Sequence, residues 1–170
     1  GSDSKLQIIN DYAFAECSIN TIKFPSRLIE LKDKWCRMIS NVTKIIVAPN
    51  NPRYCCLDEK MIIGKSNIEN DNYDQLVFCV RDICTIKIPE FIKHICPYAF
   101  EQCEKLYQVE IESNSKLEII DDYAFSETSI ESIIIPSGVT RIGIYAFSCK
   151  NLRQIKIAED SKLQIIDDGA

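Results

Sequence analysis

One pattern recurs along this chain and leaves little freedom in what it can fold into: an Ala-Phe pair with apolar residues at fixed distances before and after it. The pairs are Ala13-Phe14, Ala99-Phe100, Ala124-Phe125 and Ala146-Phe147, with a weaker copy at Trp35-Cys36, and successive clean copies stand 22 to 25 residues apart. Seven residues before the Ala position stand Leu6, Leu28, Ile92, Leu117, Val139 and Leu163, and four before it Ile9, Leu31, Ile95, Ile120, Ile142 and Ile166. None of these is polar. A repeat of this length cannot bury its own apolar side, so the units must stack into a solenoid.

After each pair comes an alternating segment: Ile22/Phe24, Ile45/Val47, Ile86/Ile88, Val109/Ile111, Ile133/Ile135 and Ile155/Ile157. Alternation places two apolar side chains of a strand inward and leaves their neighbours outside. Pro25, Pro49, Pro89 and Pro136 end four of these strands, because proline has no N–H for a ladder. A sheet of six strands would then display Thr21, Lys23, Lys44, Ile46, Thr85, Lys87, Gln108, Glu110, Ser132, Ile134, Gln154 and Lys156, the candidate partner-binding surface. Between each Ala-Phe and the next strand there is room for about one helical or 3₁₀ turn.

The rhythm breaks once. Ile45 and Ile86 occupy equivalent strand positions 41 residues apart, so 50–82 carries a repeat plus an extra piece. Within it, Met61–Gly64 and Gln75–Val80 read as two strands joined by Lys65–Asp74, rich in the Asn and Asp that favour turns. The simplest expectation is a hairpin projecting from the solenoid. Insertions in repeat proteins often fall on the binding face, and a merely tolerated insertion is the alternative.

With 46% apolar and 26% charged residues among 170, the chain is expected to form a single ordered domain over 3–170. A net charge of −5 argues against nucleic acid, whose affinity rests on clustered Lys and Arg. No apolar run approaches the roughly 20 residues of a membrane-spanning helix. Gly1-Ser2 reads as a cloning remnant. Because 161–170 reproduces 115–124 up to its Ala, the sequence reads as a fragment of a longer array whose cut ends would fray or self-associate.

The pattern Ile-x-x-Tyr-Ala-Phe, then Cys, Leu, Ile and Ile, carried by Ile142–Phe147, Cys149, Leu152, Ile155 and Ile157, resembles the leucine-rich repeats of BspA-like surface proteins. Counterparts stand at Ile95, Ala99-Phe100, Cys103, Leu106, Val109 and Ile111, and even Asn51–Tyr54, Asp58 and Met61–Lys65 resemble a variant unit of such proteins. The resemblance implies a leucine-rich repeat right-handed superhelix with a parallel β-sheet on the concave face and short 3₁₀ or helical turns and loops on the convex face. It also implies adhesion or recognition at a cell surface and no catalytic residues.

Other chemistry has little to stand on. Nine cysteines are an odd count with no Cys-x-x-Cys pair, so neither zinc nor a full disulfide framework is indicated. Cys17, Cys103 and Cys149 share a repeat position filled elsewhere by Ile39 and Thr128, which suits a small buried side chain. Cys55, Cys56, Cys79 and Cys84 leave a disulfide in the irregular region open. His94, the single histidine, reads as a lone exposed residue beside Ile95, and Asp121-Asp122 and Asp167-Asp168 as turn or cap residues. Asn41-Val-Thr43 is an acceptor for N-glycosylation should the chain pass through a eukaryotic secretory route. The expected function is therefore a non-enzymatic protein-binding module, secreted or at a cell surface, without cofactor or metal. Its partner would be a host, matrix or cell-surface protein. The alternative is an intracellular scaffold, favoured by the odd number of thiols, and an enzyme built on His94, Cys96 and a carboxylate comes third.

Overall fold

A computed structural model describes residues 4–170. Gly1-Ser2 and the expected domain start at residue 3 lie outside the described residues. Each regular turn contributes two short strands, which form two rows. The first row consists of β1 (Ile8–Ile9), β3 (Glu30–Leu31), β7 (Gln75–Cys79), β9 (His94–Ile95), β11 (Ile119–Ile120), β13 (Arg141–Ile142) and β15 (Ile165–Ile166). The second consists of β2 (Thr21–Phe24), β4 (Lys44–Val47), β8 (Thr85–Lys87), β10 (Gln108–Glu110), β12 (Ser132–Ile135) and β14 (Gln154–Ile157). Two further strands, β5 (Tyr54–Leu57) and β6 (Met61–Gly64), lie in the irregular region. The result is a β-solenoid of about seven turns with parallel sheets.

The continuous sheet is not the one expected. It is built on the first row from β7 onward, in the order β15-β13-β11-β9-β7-β6-β5, with β1-β3 as a separate pair, whereas the second row breaks into three parallel pairs, β2-β4, β8-β10 and β12-β14. The residues four before each Ala are therefore strand residues as well as core anchors. Ile95, Ile120 and Ile142 face inward in register, and their neighbours His94, Ile119 and Arg141 line up outside.

No helix forms among the described residues, and the helical or 3₁₀ turn expected after each Ala-Phe resolves into successive reverse turns. Around Ala99, amide N–H groups bond three residues back: Ala99 to Cys96 O at 3.2 Å, Glu101 to Tyr98 O at 3.2 Å and Cys103 to Phe100 O at 3.0 Å. Helical propagation fails because Tyr98 has φ 62° and Gln102 φ 63°, while a helix needs φ near −60°. The same left-handed conformation recurs at Tyr12, Tyr123 and Tyr145, and Gly169 takes the equivalent place with φ 68°. For tyrosine this backbone costs energy. Stacking offsets the cost: the Tyr98 and Tyr123 rings lie 5.1 Å apart at 8°. At Gly169 the backbone itself takes the ring's place, since a Cβ there would stand 2.4 Å from Tyr145 Cε1.

The core is a ladder of like residues. Phe125 is sandwiched between Phe100 at 4.9 Å and Phe147 at 5.4 Å, with rings within 6° of parallel. Trp35 takes the Ala place of its turn and is buried, packing on Phe14, Phe24 and Phe78.

Where a projecting hairpin was expected, β5, β6 and β7 instead form an antiparallel meander inside the main sheet, and β7 goes on to pair in parallel with β9. Met61–Gly64 and Leu76–Val80 are buried. They carry too much apolar surface to project into water, and burying it outweighs the simplicity of a protruding loop. This turn is also shortened: Leu76 precedes Thr85 by nine residues, whereas Ile9 precedes Thr21 by twelve. The corner it lacks is filled by Arg81, which is 3% exposed. Its guanidinium donates to Ile39 O, Cys79 O, Ala99 O and Tyr98 O at 2.7 to 3.2 Å and lies 4.1 Å over the Phe78 ring.

Candidate binding surface

The second strand row turns the sequence alternation into a surface. In β8 and β12 the burial pattern is exposed, buried, exposed, so Thr85 and Lys87, and Ser132 and Ile134, look outward while Ile86 and Ile133 look in. Parallel register then places exposed residues side by side: Thr21 beside Lys44 and Lys23 beside Ile46, Thr85 beside Gln108 and Lys87 beside Glu110, Ser132 beside Gln154 and Ile134 beside Lys156. Of the twelve residues named from the sequence, Thr21 alone is half-buried and the others are exposed. Two are apolar, with Ile46 39% and Ile134 59% exposed. The face is divided into three patches, because the row is cut between β4 and β8 and between β10 and β12.

Lys87 and Glu110 are not independent. The Lys87 ammonium stands 3.5 Å from Glu110 Oε1 and is hydrogen-bonded to Glu112, so the charges of the middle patch largely compensate one another.

At the cut between β4 and β8 stands a feature the repeat pattern did not mark. Asp58 (φ 52°) and Glu59 (φ 58°) form the tight turn from β5 to β6, closed by a bond from Lys60 N–H to Leu57 O. Three residues, 58–60, connect the paired Leu57 and Met61, and the two left-handed ones give the turn a twist that matches that of the strands. The turn is pinned by Val80 N–H on Lys60 O at 2.9 Å. On either side lies an open cleft, one of about 490 Å³ reaching Thr43 and Cys84, the other of about 340 Å³ reaching Lys87 and Gln108. A reader of the sequence could have found this turn from Asp58-Glu59-Lys60 between two apolar runs, but its place on the strand face needed the fold.

His94, expected to be exposed, is half-buried, because its row packs against the next turn. Nε2 stands 2.9 Å from Asp121 Oδ2 and Nδ1 3.5 Å from Gln75 Nε2. Asp121 in turn receives Arg141 Nη1 at 2.9 Å, and Arg141 Nη2 reaches Asp167 Oδ2 at 2.7 Å. Asp122 Oδ1 accepts the N–H of Ile144 in the next turn at 2.9 Å, so it links successive turns. Of the repeat cysteines, Cys103 is fully buried beside Arg81, whereas Cys17 and Cys149 are half-buried, Cys149 donating to Phe125 O at 3.0 Å. Asn41 and Thr43 of the glycosylation triplet are exposed, while Val42 between them is buried.

The BspA type leucine-rich repeat pattern matches residues 2–56 and 71–170 in six copies. The chain belongs to this family. Among solved structures it is similar to a leucine-rich repeat protein from Eubacterium ventriosum, at 22% identity and TM-score 0.80 over 95% of this chain and 41% of that one. It is similar also to the pneumococcal vaccine antigen PcpA, at 18% identity and TM-score 0.73 over 99% of this chain and 48% of that one. A leucine-rich cell surface protein from Faecalibacterium prausnitzii shows 20% identity and TM-score 0.66 over 97% of this chain and 52% of that one. At these identities the likeness shows the fold, and the chain spans only 41% to 52% of the lengths of these three proteins. No curated protein matches the sequence. The BspA-type pattern omits 57–70, the stretch that begins with the Asp58-Glu59 turn. Membership makes the chain a repeat module of a kind that generally binds proteins, and no helix of the described residues is long and apolar enough to cross a membrane.

Proposed function

We propose that this BspA-type array binds another protein at a cell surface or after secretion, in adhesion or recognition, through the exposed residues of its second strand row. The observation that carries this reading is the register that sets Lys23 beside Ile46 and Ile134 beside Lys156 on neighbouring strands. An exposed isoleucine flanked by lysine on the neighbouring strand suits a protein partner better than a small cofactor, which needs an enclosed apolar pocket. The face is taken as the concave side of a right-handed superhelix, since parallel crossovers are right-handed in nearly all folds. The Faecalibacterium protein, described as a cell surface protein, and the pneumococcal protein, described as a vaccine antigen, support the surface or secreted location. The domain is taken as one unit over 3–170 with its irregular segment at about 50–82, without catalysis, cofactor or nucleic acid as partner. In a eukaryotic secretory route Asn41 would carry a glycan. The test is surface plasmon resonance against a panel of purified matrix and host-surface proteins, comparing the native face with Lys23→Glu/Ile46→Lys and Ile134→Lys/Lys156→Glu. A partner that loses at least tenfold in affinity to either folded variant supports the reading. A partner indifferent to both but lost on His94→Ala overturns it.

A second reading, an intracellular scaffold, is favoured by the free state of all nine cysteines. Thiol counting on protein from native cells separates the two, since paired cysteines belong to the secreted reading.

A further inference from the structure

The cut between β4 and β8 is an interruption in a row of parallel strands. Among the described residues β4 is paired with β2 and packs on its other flank against β5 and β6, whereas β8 is paired with β10 alone and presents a free edge toward the cut. The two clefts lie along this cut, both bounded by Asp58, Lys60 and Thr85. Free strand edges are templates for an added strand, which gains main-chain hydrogen bonds for affinity and side-chain pockets for selectivity.

The charges along the cut are unequal. Asp58, Glu59 and Asp82 are exposed, and among the described residues none is in an ion pair. Lys87 is already held between Glu110 and Glu112, which leaves Lys60, among the described residues, as the one unpaired cation lining the two clefts. The resulting potential favours a cationic occupant. The acidic turn is also rigid: its left-handed residues are fixed by the Lys60 and Val80 backbone bonds, so little ordering opposes binding.

Resting on the reading of the strand face as the binding side, we propose that the partner enters as an extended, Lys- or Arg-bearing peptide segment. It adds a strand along the β8 edge at Thr85–Lys87 and sets its cations against Asp58, Glu59 and Asp82. The polypeptide that family members share would supply the flanking face, and the unmatched turn at 58–59 would supply the selectivity.

The test uses fluorescence anisotropy with three labelled octapeptides: alternating Lys-Val, alternating Glu-Val, and Lys-Val with alternate backbone nitrogens methylated so that one edge cannot bond. Lys-Val is expected to bind at least tenfold more tightly than either of the others, and to weaken on raising salt from 50 to 300 mM as its charges are screened. Asp58→Asn/Glu59→Asn, which keeps side chains that tolerate left-handed backbone, is expected to lose at least tenfold, and Ile134→Lys on the distant patch less than twofold. Absence of Lys-Val binding, equal binding of Lys-Val and Glu-Val, equal binding of the methylated peptide, or full affinity in the folded Asn variant each overturns the proposal. A protein partner sensitive to Ile46 and Ile134 but indifferent to Asp58 and Glu59 would overturn this inference while leaving the strand-face reading intact.

Discussion

His94 Nε2 stands 2.9 Å from Asp121 Oδ2, joining two successive turns through side chains where the backbone ladder of the two-residue strands is thinnest. Burial works to raise the Asp121 carboxyl, but hydrogen bonds from His94, the Asp122 N–H and Arg141 outweigh it and hold the group down to about 2, against 3.8 when free. A carboxyl lowered by folding contributes stability above its unfolded value, which is lost as pH falls through its folded one. Stability should therefore fall between pH of about 4 and about 2, by about 2 kcal/mol from this group. Urea unfolding at pH 6 and pH 2.5 checks this. Asp121→Asn should be less stable at pH 6 and show a shallower loss, and an unchanged slope would refute the assignment.

Phe125 lies fully buried between two parallel rings, so Phe125→Ala should cost about 3–5 kcal/mol, the usual effect of emptying an aromatic site. Gln108→Ala on the exposed face should change stability by about 0.5 kcal/mol or less. Thermal melts that fail to separate the two would reverse the assignment of inside and outside.

Arg81 closes the shortened turn by bonding four carbonyls from three turns of the chain. Arg81→Met keeps much of the stem but leaves these acceptors dry. A loss of about 3 kcal/mol or more is expected from several unsatisfied groups. Equilibrium denaturation would detect it, and a variant as stable as the parent would mean that water replaces the guanidinium at no cost.

The last turn has no covering neighbour among the described residues: Ile155, Ile157, Ile165 and Ile166 are 42 to 60% exposed, whereas Ile133 and Ile135 are buried. Amides of Ile165–Ile166 should exchange with deuterium far faster than those of β12, at concentrations where sedimentation shows a monomer. Equal protection would contradict the expected fraying. At higher concentration, self-association through this apolar surface should slow the exchange.

Cys84 is exposed, while Cys36, Cys79 and Cys103 are fully buried, and burial pushes the Cys36 thiol up to about 12 against the pull of Arg81. A maleimide at pH 7 should label Cys84 within minutes and the buried three only after unfolding. Rapid labelling of Cys103 in the folded protein would show that the Arg81 corner opens.

The sequence by itself determined the repeat, its anchors and the outward side of each strand, because the spacing of Leu28, Ile45 and Phe125 admits one stacked arrangement in which all are dry. It also led to the expectation of a break in the repeat at about 50–82. What it could not settle was how neighbouring turns meet. Ile119-Ile120 reads as one apolar anchor and its neighbour, and only stacking against His94-Ile95 makes it a strand of the continuous sheet. His94 looks isolated in the chain because Asp121 and Gln75 are 27 and 19 residues away. The Asp58-Glu59 turn is a local signal, but its position between β4 and β8 depends on β6 and β7 burying their apolar faces within the main sheet instead of projecting. Periodicity is a property of single units and survives in sequence. Pairing between units, and the gap left where one unit is short, are decided by which buried surfaces and backbone groups find partners across turns, and that exists only in the folded chain.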